Sequence, residues 1–427
     1  MKNWNSVTIF FSAAIIIGLC FQCTVAQDSL TTPRQEKLLN GLKVLMWSNP
    51  QAGNVTVRIR IHSGSAFDPQ GREGLMQMLA DNIFPTEAAR DYFKEDLAGN
   101  LEVITTYDYI QVNATSKPDG ILTALETLSN AVSNPTIDKE TTAKLRTELL
   151  AKVAASESDP GYVADEGVAK RLFGTFPYGR PQLGTTASLN KIIFADLIDA
   201  KTRFLTADNA TITISGNFDT TAAYRAIRRL FGEWLKADKQ VPSTFRQPDD
   251  PPAALQTLAS PNPNAAAIRF ATRGTARGAK DFAVSRVFTS IVEARLKSRV
   301  NPVNAGDVVV RNAAYVLPGQ ITIGMNIREK GPVVGGGPIN ANEYVMKALT
   351  DPITEAEFQA AKGAAQAAWT VRPTEEFWLD ADTYKTGSIN ADYRVFDSML
   401  LADVSGYAAK VGKAPFALVL VNTPPAK

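Results

Sequence analysis

Chemistry that needs imidazole is limited at the outset, because His62 is the single histidine among 427 residues. No site built from two histidines can form within this chain, and a nucleophile relay through imidazole has only His62 to use. His62 closes an alternating run in which Val55, Val57, Ile59 and Ile61 face one way and Thr56, Arg58, Arg60 and His62 the other. That period of two marks a half-buried strand. On its polar face His62 reads as a surface or hydrogen-bond-satisfied histidine, and no Gly-x-Ser-x-Gly elbow exists to pair with it. Ser188-Leu189-Asn190-Lys191 has a Ser-x-x-Lys spacing, but two fixed positions arise by chance, and a helix start is the plainer reading. Gly335-Gly336-Gly337 lacks the Lys-Ser/Thr of a phosphate loop and reads as a turn. Asp249-Asp250 reads as solvated.

The elements around these residues mix strands with helices. Leu39-Asn40-Gly41-Leu42 reads as a turn feeding a strand through Lys43-Val44-Leu45, and Leu101 to Val112 and Thr211 to Ile214 give further strands. Pro118 to Val132 carries Ile121, Leu125, Leu128 and Val132 at helical spacing, with Pro118 and Asp119 suited to a first turn. Thr141 to Ser156 and Asp219 to Leu235 are further helices, the latter with Ala223, Ile227, Leu230, Phe231 and Trp234 on one stripe. In the second half, strands at Ala266 to Ala271 and Gln320 to Ile327 flank a helix from Lys280 to about Lys297. This order predicts an α+β class, with sheets covered by helices.

A chain of this length exceeds one ordinary core and predicts two domains. Residues 236–264 contain six prolines, at 242, 248, 251, 252, 261 and 263, and read as an extended linker between domains at 27–235 and 265–427. The halves echo each other. Asn134-Pro135-Thr136-Ile137-Asp138 precedes a helix in the first, and Asp351-Pro352-Ile353-Thr354-Glu355 precedes one about 217 residues later, which predicts duplication of one α+β domain.

Residues 1–26 read as an export signal: Lys2, an apolar run from Val7 to Phe21, and Thr24-Val25-Ala26 before a cut. A retained membrane anchor is the alternative, although the run is shorter than the roughly 20 apolar residues of a full span. Both cysteines, Cys20 and Cys23, lie inside this segment. A mature chain therefore has no disulfide, cysteine nucleophile or thiolate metal site. A bacterial periplasm fits best, while Asn54-Val55-Thr56 and Asn209-Ala210-Thr211 would be glycosylation acceptors in a eukaryotic secretory route. The 45 basic and 43 acidic residues nearly cancel, so nothing suggests a nucleic-acid partner.

Several stretches in order resemble the pitrilysin, or M16, metallopeptidase family, which includes mitochondrial processing peptidase and the core proteins of respiratory complex III. They are Leu39 to Val44, His62-Ser63-Gly64-Ser65-Ala66-Phe67-Asp68, and Gly99 to Tyr109. The strongest runs from Phe173-Gly174 through Pro177-Tyr178-Gly179-Arg180-Pro181 to Leu183-Gly184-Thr185, followed by Leu205 to Asn209 and Gly216 to Asp219. The match covers roughly residues 38–240 and continues more loosely at Pro352 to Lys362. It implies two homologous domains, each a mainly antiparallel sheet covered by helices (the LuxS-like metallohydrolase fold). The two clasp a chamber, usually together with a second subunit.

Active members carry H-x-x-E-H on a helix, two zinc-binding histidines and a glutamate base, and a later glutamate completes the ligands. The matching segment here is Gly74 to Phe84. Gln77 and Asp81 stand at the histidine positions and Ala80 at the base, so no catalytic residue and no metal ligand is expected. The later ligand position falls near Ala151 or Lys152, with Glu148 or Glu157 available if the helix is displaced by a turn. An all-oxygen set of Gln77, Asp81 and a glutamate would suit magnesium or calcium rather than zinc; polar residues facing a wet chamber are the plainer reading. The family's second-half arginine, a substrate-binding residue, falls on Arg299 and its tyrosine on Gly306.

The resemblance therefore implies a non-catalytic M16-type protein without zinc or other cofactor. Its expected partner is an M16 homologue with an intact zinc motif or another envelope complex, and peptide is a further expected ligand. The alternative, an autonomous zinc metalloendopeptidase, is disfavoured by the single histidine.

Overall fold

The structure, a computed structural model, describes residues 32–237, 248–299, 307–328 and 337–422. The expected signal at 1–26 and Gly306, Gly335 and Gly336 lie outside the described residues. From Pro33 onward the chain packs as one compact unit.

The first half runs β1 (Arg34–Lys37), β2 (Lys43–Ser48), β3 (Val55–Ile61), α1 (Leu75–Asp81), α2 (Ala88–Glu95), β4 (Asn100–Thr105), β5 (Ile110–Ser116) and α3 (Ile121–Ser133). It continues through α4 (Lys139–Glu157), α5 (Pro160–Phe173), α6 (Thr186–Leu189), α7 (Phe194–Phe204), β6 (Ala210–Gly216) and α8 (Thr220–Phe231). The second half runs β7 (Gln256–Ala259), β8 (Ala265–Arg273), α9 (Phe282–Arg299), β9 (Val308–Ala313), β10 (Gln320–Arg328) and α10 (Gly337–Thr350). It ends with α11 (Glu355–Thr370), α12 (Thr374–Tyr384), α13 (Ala391–Ser398), α14 (Leu401–Gly412) and β11 (Ala417–Asn422).

Two sheets result, six strands in the order β1-β2-β6-β3-β5-β4 and five in the order β7-β11-β8-β10-β9. Apart from β1 they share one topology. A parallel pair opens each, β2 with β6 and β7 with β11, and antiparallel pairs follow. The sequence echo therefore reflects two α+β halves of one design, as expected.

Two segments differ in detail from expectation. Leu101 to Val112 is a hairpin, β4 and β5, because the Thr106 hydroxyl accepts from the Asp108 and Tyr109 amides and folds the chain back. The proline-rich segment expected to be linker contributes β7, which pairs through Gln256 to Ala259 with the end of β11. Proline is absent from those four residues, so their amides are free to join the ladder.

The main core lies on one face of the six-stranded sheet. Val55, Val57, Ile59 and Ile61 of β3 are buried there with residues of α1, α3, α7 and α8. Part of the opposite face is covered from the other half. α12 lies against β6, and in return α5 lies against β8 and β11 of the second sheet. Each half thus donates the helix that shields its partner's sheet.

The exchange brings an arginine on the middle of each sheet against a carboxylate on the visiting helix. Arg60 on β3 bonds Asp380 of α12 at 2.9 Å, and Arg269 on β8 bonds Asp165 of α5 at 2.6 Å. Both guanidinium groups are fully buried. Arginine can enter such a site because its planar fork places several donors at fixed angles.

Candidate functional site

α1 is short and held from outside its own sequence. Gly74, with φ +93°, turns the chain into the helix, and a side chain there would collide with Leu183 and Leu189. The Asp68 carboxylate accepts from the Gly74 and Met76 amides, both at 2.8 Å. Those are two of the donors a helix start leaves unpaired. Burial pushes the Asp68 carboxyl up to about 7, against the pull of those amides and of Arg180.

Leu75, Met76, Met78, Leu79 and Ala80 are buried along α1, so the methyl of Ala80 belongs to the core. Gln77 and Asp81 share the other face at the i,i+4 spacing, where the Gln77 amide donates to Asp81 at 2.9 Å. α4 runs beside α1, and the charges of Lys152 and Glu148 on it reach Asp81. Burial raises the Asp81 carboxyl, Gln77, Lys152 and Arg90 lower it, and Glu148 raises it further.

This set does not fit zinc. Tetrahedral zinc sites take imidazole, thiolate or carboxylate donors, and of the three α1 positions only Asp81 offers an anion. The neighbouring position on α4 brings a cation, Lys152, toward the same carboxylate. Ala151 carries no donor, and Glu157, at the C-terminal end of α4, acts on Tyr162. Among the described residues no cluster of three or more His, Cys, Asp or Glu is placed to hold a metal ion.

His62 is a satisfied histidine on the face of the sheet under α12. Its Nδ1 lies 3.0 Å from the Thr383 hydroxyl and its Nε2 3.0 Å from that of Thr211. Burial pushes its pKa down to about 3, Asp382 pulling upward and Arg60 downward, so the ring is neutral at physiological pH. Arg299 ends α9 and donates to Asp351 at 2.7 Å and to the Tyr344 carbonyl at 3.2 Å. Its fork is thus engaged with its own half. Among the described residues Arg299 bonds neither Gln77 nor Asp81, and Ser188 serves in a capping box at Thr185.

Two features escaped sequence reasoning. The first is the buried charge network, where Arg60 also bonds Glu376 at 2.6 Å and Gln111 at 2.5 Å and lies 4.1 Å over the Tyr109 ring. Its one signal was an arginine repeated on an otherwise regular strand. The second is the free edge of β4, which follows α1 and α2 in the chain and packs against both. Among the described residues no strand pairs with its outer side. Such an edge is a ready template for an extended peptide. No helix among the described residues is long and apolar enough to cross a membrane.

Two family models match the chain: Insulinase (Peptidase family M16) over residues 43–186, and the Peptidase M16 inactive domain over residues 191–364. A protein of Rickettsia bellii described as an uncharacterized zinc protease is 23% identical over 208 residues, 48% of this chain and 50% of that protein. The chain spans about half the length of the curated relatives it matches. The crystal structure of a peptidase M16 inactive domain from Pseudomonas fluorescens superposes with a TM-score of 0.79 at 18% identity, covering 93% of this chain and 99% of that one. A chain of complex III2 from Candida albicans superposes with a TM-score of 0.72 at 18% identity, covering 91% and 95%. At these identities the structural likeness speaks to fold.

Proposed function

The chain belongs to the peptidase M16 family, and from that premise we propose that it is a non-catalytic member that binds peptide or a partner subunit rather than cutting peptide. The observation that carries this is the face of α1. Gln77 and Asp81 bond each other where two zinc-binding histidines would stand, and the buried methyl of Ala80 stands where the base would be. Water activation of the family type needs a bound metal and a carboxylate beside it, and α1 supplies neither the ligands nor the base. What the first half retains is the framework: the edge of β4, the adjoining helices and a sheet shielded by α12.

In this reading the chain is exported through residues 1–26 to the cell envelope. There it pairs with an M16 homologue whose zinc motif is intact, and β4 helps to hold extended peptide. The test is direct. The mature protein, purified without chelator, should carry far less than one zinc per chain and leave M16 peptide substrates intact. It should also co-purify with a homologue that has the zinc motif. One tightly held zinc per chain, together with cleavage abolished by chelator, would overturn the proposal.

A second reading, a scaffold with no part in proteolysis, is favoured by one observation. Arg299, at the family's substrate-holding position, is paired with Asp351. If a partner peptidase cuts equally well with and without this chain, the scaffold reading holds.

A further inference from the structure

α12 leaves part of the polar face of the six-stranded sheet uncovered. It begins at Thr374 and covers the row that contains Arg60 and Gln111. Beyond its start a cleft of about 480 Å³ opens over β3, β5 and β4, bounded by Arg372 and Glu376. That volume is within the range of roughly 300–1,000 Å³ over which small-ligand sites occur.

The strand register fixes what lies on the floor. Arg58 stands opposite Asn113, which stands opposite Glu102 on the edge strand. Thr56, Thr115 and Asn100 form the next row. Leu101 is buried in the core on the other face, so Glu102 projects onto this one.

The charges of the cleft are paired except at Glu102. Arg58 lies 3.1 Å from Glu376 and 3.7 Å from Glu375, and Arg372 lies 2.9 Å from Asp380 and 3.7 Å from Glu376. Glu102 is exposed and accepts one long contact, 3.4 Å, from the Asn113 amide. It forms no ion pair among the described residues.

We infer that the cleft is a subsite for a basic side chain, lysine or arginine, of an extended peptide paired with the outer edge of β4. The inference rests on the peptide-binding reading given above. A strand added to β4 places the side chain opposite Glu102 on the same face of the sheet, because facing residues of neighbouring strands share a side. That side chain enters a cleft whose one unpaired charge among the described residues is a carboxylate, and the Asn100 amide offers a further acceptor. The residues before and after it fall on the face of Leu101 and Val103, where apolar side chains fit. The preferred peptide therefore carries one basic residue between two apolar ones.

Fluorescein-labelled β-prone heptapeptides with Lys, Ala or Glu at the centre, titrated into the full chain and followed by anisotropy, test this. The Lys peptide should bind roughly fivefold more tightly than the Ala peptide, the order set by facing opposite charges. Glu102→Gln should erase the preference and Glu102→Lys should invert it toward the Glu peptide. Glu102 is exposed, so both variants should keep the circular dichroism and melting of the parent. Equal binding of all three peptides, or a Lys preference that survives Glu102→Lys, overturns the subsite while peptide binding stands. Binding of none overturns the peptide-binding reading and the subsite with it.

Discussion

Asp380→Ala is expected to lower the stability of the protein by about 3–5 kcal/mol, the range for breaking a buried ion pair by removing one partner. Asp380 lies at the meeting of three arginines: Arg60 at 2.9 Å, Arg372 at 2.9 Å and Arg277 at 3.3 Å. Arg60 has no solvent exposure and Asp380 has 6%. Burial pushes the Asp380 carboxyl up, but Arg372, Arg60 and Arg277 together outweigh it and hold the group below the usual carboxylate range. Alanine would remove that anion and leave the buried guanidinium of Arg60 with Glu376 alone as an ionic partner. The loss should appear as a shift of the urea midpoint. Hydrogen exchange should rise first in β3 and β6, because the broken contact is the one that seats α12 on their face. Glu293→Ala supplies the control. Its pair with Lys297 is solvent-exposed on one helix, and such pairs contribute roughly 0.3–0.5 kcal/mol. A loss below about 1 kcal/mol at Asp380, similar to the control, would show that α12 is seated by packing alone.

That network marks the limit of what local patterns reveal. The alternation of β3 was legible because period-two burial is a property of consecutive residues, and all four of its apolar side chains do face the core. The fate of Arg58, Arg60 and His62 was not, since the helix that bonds them begins more than 300 residues later. A polar face looks the same in sequence whether water or a donated helix covers it. The helices at Ile121–Ser133, Lys139–Glu157 and Phe282–Arg299 fell within a few residues of their expected bounds, each having helical spacing or composition. β7 was hidden because four residues set among prolines carry no period, and only the edge of β11 makes them a strand. At the site, the loss of a two-histidine center followed from composition, whereas the action of Lys152 on Asp81 required α4 to be placed beside α1.

Stability should also fall as pH rises from about 4.5 to 7. Burial pushes three carboxyls up to about 7: Asp68, Asp108 and Glu166. Asp68 faces the α1 amides, Arg180 and Glu73, while Asp108 faces Tyr178, the Val316 amide and Asp380, and Glu166 faces Asp165. In the unfolded chain such groups titrate near 4. Between the two values the native state holds protons that the unfolded state has lost, so unfolding releases protons and stability declines as pH rises. At about 1.4 kcal/mol per pKa unit the ceiling is on the order of 3–4 kcal/mol for each group, reached above pH 7. His62 opposes them below its ordinary value of 6.5, because there the unfolded chain gains a proton that the buried ring refuses. One histidine against three carboxyls leaves the direction unchanged, and above 6.5 the carboxyls act alone. On the acid side Asp380 is held low, as is Glu357, which its bond to Arg295 brings to about 2. Their contribution is lost as pH falls through their native values, so the maximum should lie near pH 4. Asp108→Asn isolates one group. The amide can still accept from the Val316 amide without carrying charge, so the variant should gain about 1–3 kcal/mol over the parent at pH 8 and little at pH 4. Urea midpoints across that range measure it. A parent profile that is flat or rises toward pH 8, or an Asp108→Asn difference independent of pH, would show that these carboxyls are ionised in the folded protein and solvated or paired in ways the fold does not display.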